Sequence, residues 1–343
     1  MRTTFTTATI MFACNALFAD TAKVSALVLD DKEMSSIANV TVTAYFTVDI
    51  GWRAWSEPSP PNTDSAVTDF DGRCRLSGKT NCGKVGCWVN TPPLGYYSPR
   101  RGWGHTYTEK SLLGVWQPDN LVATIKLQRV EHPIALFVKQ FNGGGADFVN
   151  SDLFDKGDGC LQLDLVKGDW LPPVGSGEHA DVVFNRLSHE DLGIGTNFNG
   201  RTGTAYRDSM SVNFMGDDNG LVEVACSPKD RLMIRCAPSD GYVSKYLCWK
   251  GRNKKLKYSS SFDENRNFAI RIRTQRDEQG KIVSAYYGKI YGDIIFKKLF
   301  GKEVAVAAPA FLYYLNPTPL DRNLEWDMKN NLCPNPGMVG RQP

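Results

Sequence analysis

Ala66-Val67-Thr68-Asp69-Phe70-Asp71-Gly72-Arg73-Cys74-Arg75-Leu76 sets an Asp-Gly turn beside an alternating run of side chains. Glycine accepts the backbone angle that such a turn requires and most residues resist, so this stretch predicts a hairpin. Outward from it, Val24, Ala26 and Val28 share one face of an upstream run, and Val40, Val42, Ala44 and Phe46 share one face of the next. A period of two is the signature of half-buried strands. Residues 56–65 carry Pro58, Pro60 and Pro61, which cannot donate to a sheet ladder, and read as a loop. Residues 121–130 alternate again and close a first module, which we bound at 20–130.

Several segments taken in order resemble the carboxypeptidase regulatory-like domain, a transthyretin-type β-sandwich. They are Val24-Ser25-Ala26-Leu27-Val28-Leu29-Asp30, then Ala38-Asn39-Val40-Thr41-Val42-Thr43-Ala44, then the Thr68-Asp69-Phe70-Asp71-Gly72-Arg73 turn, Gly95-Tyr96-Tyr97 and the strand at 121–127. The likeness covers roughly the first third of the chain. It implies a sandwich that serves as a non-catalytic scaffold or interaction module.

Residues 131–343 read as a second β-rich domain, because short apolar runs at 134–139, 161–165 and 181–184 are punctuated by glycine and proline and no helical stripe is sustained. Two hairpins are predicted here. One joins 211–214 to 221–224 across Asp217-Asp218-Asn219-Gly220, and the other joins 268–273 to 282–290 across Asp277-Glu278-Gln279-Gly280. The segments Gly168-Asp169-Trp170-Leu171-Pro172-Pro173, Tyr287-Gly288-Lys289-Ile290-Tyr291-Gly292-Asp293 and the tail near 311–327 resemble uncharacterised exported bacterial proteins that join a regulatory-like sandwich to a second β domain. The fold class is therefore mostly β: a transthyretin-like sandwich followed by a β-rich domain of unassigned type.

Arg2 precedes an apolar run at 8–19 that ends in small residues before Asp20-Thr21-Ala22-Lys23, the layout of a signal peptide at 1–19. A cut after Ala16, or a lipoprotein-type reading of Met11-Phe12-Ala13-Cys14, are the alternatives. The run is too short to cross a bilayer, so the mature chain is expected to be secreted, periplasmic or on the cell surface with no transmembrane span. With 40 Lys and Arg against 37 Asp and Glu, interspersed, the formal charge of +3 suits no nucleic-acid partner. Lys250, Arg252, Lys254, Lys255 and Lys257 form the one basic cluster, which either grips an anionic glycan or lipid headgroup or is a solvated hairpin. Cysteine spacing offers Cys82 with Cys87, Cys74 with either of them, and Cys226 with Cys236 as short-range disulfides, and it lacks the paired knuckles of a zinc site.

Candidates for chemistry are sparse. Glu178-His179, Asp181 and His189-Glu190-Asp191 place imidazoles and carboxylates within a short stretch, which makes His179, Asp181 and His189 the metal-ligand candidates, although no His-Glu-x-x-His helix accompanies them. Acids beside indoles, Asp169-Trp170 and Glu325-Trp326-Asp327, are the residue types of glycoside hydrolysis. Asp217-Asp218-Asn219-Gly220 and Asp155-Lys156-Gly157-Asp158-Gly159 could hold calcium or simply turn the chain. No nucleophile elbow, phosphate loop or dinucleotide fingerprint occurs, and no cofactor is expected. Trp52, Trp55, Tyr96, Tyr97, Trp103 and Tyr107 fall in or beside loops of the first module, where they can stack on a sugar ring or a partner, or else plug the open end of the sandwich. The expectation is an exported, non-catalytic binding or structural module of the bacterial cell envelope. It would meet a glycan or an envelope protein through Trp52, Trp55 and Trp103. The runner-up is an extracytoplasmic hydrolase using carboxylates of the second domain.

Overall fold

The computed structural model describes residues 20–47, 62–97, 102–111, 114–119, 121–142, 159–185, 188–225, 234–263, 265–299, 306–334 and 336. The signal region, Trp52, Trp55, Cys226 and residues 155–158 lie outside them. The described residues form strands and no helix, and so include no helix long and apolar enough to cross a membrane. The chain divides into two compact units, one ending at Glu131 and the other beginning at His132.

In the first unit the strands are β1 (Thr21–Asp30), β2 (Thr41–Phe46), β3 (Asn62–Val67), β4 (Arg73–Lys79), β5 (Lys84–Val89), β6 (Trp103–Thr106), β7 (Glu109–Lys110), β8 (Trp116–Gln117) and β9 (Leu121–Leu127). One sheet runs β4-β1-β9, another runs β3-β2-β5-β6, and β7 and β8 form a short ribbon. Alternation explains the layering: Val24, Ala26 and Val28 of β1 and Val42, Ala44 and Phe46 of β2 are buried in one core with Leu76, Val85, Cys87, Ile125 and Leu127.

The Asp69–Gly72 turn forms as its chemistry dictates, with the Asp69 carboxylate accepting the N–H groups of Asp71 and Arg73. It does not make a hairpin. β3 pairs with β2 and β4 pairs with β1, so the turn is a corner that carries the chain from one sheet to the other. Inward residues of β3 and β4, among them Ala66, Cys74 and Leu76, pack in the common core, which favours a sheet-to-sheet crossing over a ladder between these two strands. Gly72 holds the corner: its φ is +69°, its carbonyl accepts the Val28 N–H at 2.8 Å, and a Cβ there would lie 2.6 Å from the Val28 carbonyl oxygen. Gly72→Ala is expected to lower the unfolding free energy by about 2 kcal/mol, read as a fall in the urea midpoint at unchanged slope.

The second unit continues with β10 (Ile134–Asn142), β11 (Cys160–Asp164), β12 (Asp169–Trp170), β13 (Val182–Asn185), β14 (Ser188–Thr196), β15 (Thr202–Phe214), β16 (Gly220–Ala225), β17 (Lys245–Arg252), β18 (Tyr258–Ser260), β19 (Arg266–Arg276), β20 (Ile282–Ile290), β21 (Ile295–Leu299), β22 (Val306–Leu315) and β23 (Trp326–Asn331). One sheet runs β16-β19-β20-β22-β10-β23 with β21 also on β22; the other runs β12-β11-β13-β15-β17-β18 with β14 also on β15. Between them lies an aromatic core of Phe141, Trp170, Phe184, Phe311 and Tyr313 with aliphatic neighbours. The first of these sheets buries side chains on its other face too: Leu136, Val138, Leu312, Tyr314 and Trp326 form one cluster, and Ala269, Ala285 and Tyr287 form another with Ile234, Ala237 and Leu324 from outside the strands. Burial on both faces is why Phe311-Leu312-Tyr313-Tyr314-Leu315 is apolar at every position rather than alternating.

Of the two hairpins predicted in this unit, β19–β20 forms. The other is corrected. β15 pairs with β13, β14 and β17, whereas β16 pairs with β19 in the opposite sheet, so residues 215–219 cross the sandwich. Asn219 braces that crossing from inside: its amide donates to the Met215 carbonyl and its oxygen accepts the Thr274 N–H. Cys74, Cys82 and Cys87 are free thiols, so the Cys82–Cys87 and Cys74-linked bridges are not formed; Cys74 and Cys87 are instead buried in the first core, and burial pushes the Cys87 thiol up to about 12.

Candidate functional site

Several of the acids in the second unit are committed to the fold. Asp164 and Asp181, both buried, converge on the Arg273 guanidinium, which donates from Nε to Asp181 at 2.8 Å and from Nη2 to Asp164 at 2.7 Å. Asp164 also accepts the N–H groups of Val166, Lys167, Glu178 and His179, stapling the loop before β13. Burial alone would raise the Asp164 carboxyl, but these backbone donors and Arg273 hold it below the ordinary carboxylate range. Burial does push Asp181 up, against the pull of Arg273. Asp169 accepts from Trp170, Ser176 N–H and Ser176 O–H; Glu325 accepts from the His132 N–H; Asp327 closes its own turn through Lys329 and Asn330; Asp218 pairs with Arg276.

His189 stands elsewhere, on β14, with Nδ1 2.6 Å from the wholly buried Asp208 carboxylate of β15. The cross-strand register continues this row to Lys250 on β17 and Ser260 on β18. Beside Lys250 opens a cleft of about 250 Å3 lined by Cys248, Tyr258, Ser260, Phe262 and Phe296 among others. Lys250 Nζ donates to the Phe296 carbonyl at 3.1 Å and lies 4.5 Å from that ring's centroid, so its charge is held by the wall of the cleft. Burial, then the nearby Asp293, push the Cys248 thiol up to about 12, which keeps it protonated and non-nucleophilic. The His189–Asp208 pair has the residue types of two members of a hydrolytic triad, but no hydroxyl or thiol is bonded to the ring among the described residues. Nor does a hydrogen bond join His179 to His189. Among the described residues no group of three His, Cys, Asp or Glu side chains is placed to hold a metal ion.

In the first unit the described aromatics of that set, Tyr96, Tyr97, Trp103 and Tyr107, turn inward. Tyr97 and Tyr107 are buried, Tyr107 O–H donating to the Lys23 carbonyl at 2.7 Å; Tyr96 O–H donates to Asp30; and Trp103 packs partly buried against the core with His105 stacked at 5.8 Å. Among the described residues a different indole is exposed. Trp88, inside β5, keeps 38% of its surface in solvent on the outer face of the β3-β2-β5-β6 sheet, with Tyr45 edge-on at 4.8 Å between centroids.

Glycine makes this possible. A Cβ on Gly86 would lie 2.4 Å from the Trp88 ring and one on Gly102 2.6 Å from it, so the indole rests flat on bare backbone. Register places Thr43 opposite Trp88, with Ser65 beyond it and their hydroxyls 2.9 Å apart, and Asn90 donates to the same Thr43 hydroxyl. Following the same register, the outward residues of β2, β3 and β5 are Thr41, Thr43, Tyr45, Thr63, Ser65, Val67, Lys84, Gly86 and Trp88. They include hydroxyls, one cation and no acid. A flat indole beside hydroxyl and amide donors can cover the apolar face of a sugar ring while bonding its hydroxyls. Trp88 lay hidden from sequence reasoning because it occupies a strand position; the readable signal was Gly-x-Trp on β5 with two further glycines, Gly102 and Gly104, around the next strand.

No protein-family model matches this chain, and no curated protein sequence is similar to it. Among solved structures it is similar to a streptococcal ancillary pilin, at 13% identity and a TM-score of 0.23 over 54% of this chain and 58% of that one. It is also similar to the major pilin subunit of Bacillus cereus, at 9% identity and a TM-score of 0.22 over 85% of this chain and 95% of that one. A DUF3823 family protein from Parabacteroides merdae is similar at 10% identity and a TM-score of 0.19, over 89% of this chain and 99% of that one.

Proposed function

We propose that this chain is an exported, non-catalytic binding or structural module of the bacterial cell envelope, secreted, periplasmic or on the cell surface. Its first unit, residues 20–130, is a carboxypeptidase regulatory-like sandwich that binds an uncharged glycan across the Tyr45–Trp88 face. The observation that carries this reading is the Trp88 indole lying on a glycine floor with 38% of its surface in solvent, among outward residues of β2, β3 and β5 that carry hydroxyls and no acid. The scattered placement of His179, His189 and the second-unit acids supports a binding role over hydrolysis.

Affinity electrophoresis of the full chain in gels containing neutral polysaccharides tests it. The parent is retarded by at least one of them, and Trp88→Ala weakens that retardation about tenfold, since stacking and the area it covers are both lost. Equal retardation of parent and variant, or none of the parent across neutral glycans, sinks the proposal. Signal removal is checked separately, by the N-terminus of the protein recovered outside the cytoplasm.

A further inference from the structure

Two hairpin ends of the second unit are built alike and fastened to each other. In Asn197-Phe198-Asn199-Gly200-Arg201, joining β14 to β15, the Asn197 side-chain oxygen accepts the N–H groups of Asn199 and Arg201, and Gly200 takes φ +74°. In Asn253-Lys254-Lys255-Leu256-Lys257, joining β17 to β18, Asn253 does the same for Lys255 and Lys257, and Leu256 takes φ +57°. A leucine resists that conformation, and it is held there by contact: its methyl groups lie over Gly195 and Gly203, where a Cβ at Gly195 would come within 2.9 Å of Leu256. The Thr196 N–H donates to the Lys254 carbonyl at 2.8 Å. The two turns therefore present their side chains as one rigid end.

What that end displays is amphipathic. Phe198 is 96% exposed and Ile194 77%, while Arg201, Lys254, Lys255 and Lys257 are exposed beside them. Segments 194–204 and 252–258 together hold five Lys and Arg and no Asp or Glu. Neither Phe198 nor Ile194 contributes burial to the fold, so their presence at a hairpin tip is unexplained by stability.

We propose that this end of the second unit docks on the surface of an anionic phospholipid bilayer, with the lysines and arginine at the phosphate level and Phe198 and Ile194 in the interfacial region below it. A convex tip of apolar side chains ringed by cations suits a surface that is anionic outside and apolar a few ångströms in. A soluble polyanion would engage the cations alone and leave both apolar side chains in water. The inference stands on the second unit and is independent of the glycan reading of the first.

Co-sedimentation of the full chain with phosphatidylcholine vesicles, with and without phosphatidylglycerol, tests it. Binding is expected only to the phosphatidylglycerol vesicles and is lost in roughly 1 M salt, where screening shortens to about 3 Å. The Lys254→Gln, Lys255→Gln, Lys257→Gln triple variant is expected to lower partitioning about a hundredfold, at about fivefold per cation. Ile194→Ser with Phe198→Ser is expected to lower it about tenfold or more. These positions are exposed, and an unchanged circular dichroism spectrum verifies the fold. Failure of the parent to bind phosphatidylglycerol vesicles overturns the proposal. So does binding that the apolar pair of substitutions leaves intact, an outcome which, with equal retention on dextran sulfate, identifies a polyanion site instead.

Discussion

Arg273→Met is expected to lower the unfolding free energy by about 3 kcal/mol at neutral pH. The guanidinium is shared by two carboxylates with almost no solvent contact, and removing it leaves both buried without their counter-charge. The figure belongs at the lower end of the range for breaking a buried pair, because Arg273 itself keeps 25% of its side chain in water, so water can enter the gap. Arg273→Lys keeps the charge but not the planar fork that reaches both acids at once, and should fall between parent and methionine variant.

The pH dependence has a definite sign. Asp164 is held below its unfolded value, so in the parent it contributes stability that is present above that value and lost as pH falls through the folded one. Asp181 is raised by burial, so its charged form opposes folding at neutral pH, and that opposition fades on acidification. Without Arg273 both carboxyls titrate higher, and protonation then relieves the unpaired charges. The difference between parent and Arg273→Met therefore shrinks between pH 7 and about pH 4.5, near the unfolded carboxylate range. Urea unfolding at the two pH values measures it, and a difference that stays constant would falsify the unpaired-carboxylate account.

Phe141→Ala is the second large effect, expected to lower stability by about 3–5 kcal/mol. Phe141 stands at the centre of the second unit's aromatic core, stacked on Phe311 at 5.1 Å, tilted against Trp170 at 5.3 Å and stacked on Tyr313 at 6.4 Å. Its removal opens a cavity whose walls are rings on two different sheets, and ring walls collapse poorly because each is pinned by others. Tyr313, for example, is wholly buried with its hydroxyl donating to the Leu165 carbonyl at 2.8 Å. Phe141→Leu, which refills most of the volume, should lose about 1.5 kcal/mol or less. Near-ultraviolet circular dichroism should weaken in the alanine variant as Trp170 loses its neighbour. A loss below about 1 kcal/mol for Phe141→Ala would mean that this core does not join the sheets.

Much of the local structure was legible in the chain. Alternation in β1, β2 and β9 placed the inward faces correctly, and Asp277 with Gly280 marked a true hairpin. The candidate site was much less legible. Tryptophans in loops drew attention because loops reach solvent, yet Trp103 packs on the core while Trp88, in a strand, faces out; Trp52 and Trp55 lie outside the described residues. Whether a strand residue points to the core or to water depends on which face its sheet buries, and a single aromatic does not report that. His179, Asp181 and His189 looked like a set because they are near in sequence. Arg273, which claims Asp181, lies on a distant strand, and so does the Asp208 partner of His189 relative to His179.

From its own order of residues the chain dictated strands rather than helices, the buried side of those strands that alternate, and the turns, since period-two patterning and the φ preferences of Asp, Asn and Gly act within a few residues. Tertiary structure alone decided which strands pair. The turn at Gly72 became a corner and residues 215–219 a crossing, although each sits between strands that look ready to form a ladder. The physical reason is that ladder hydrogen bonds are nearly equal for any partner, whereas burial of inward faces depends on where every other strand already lies.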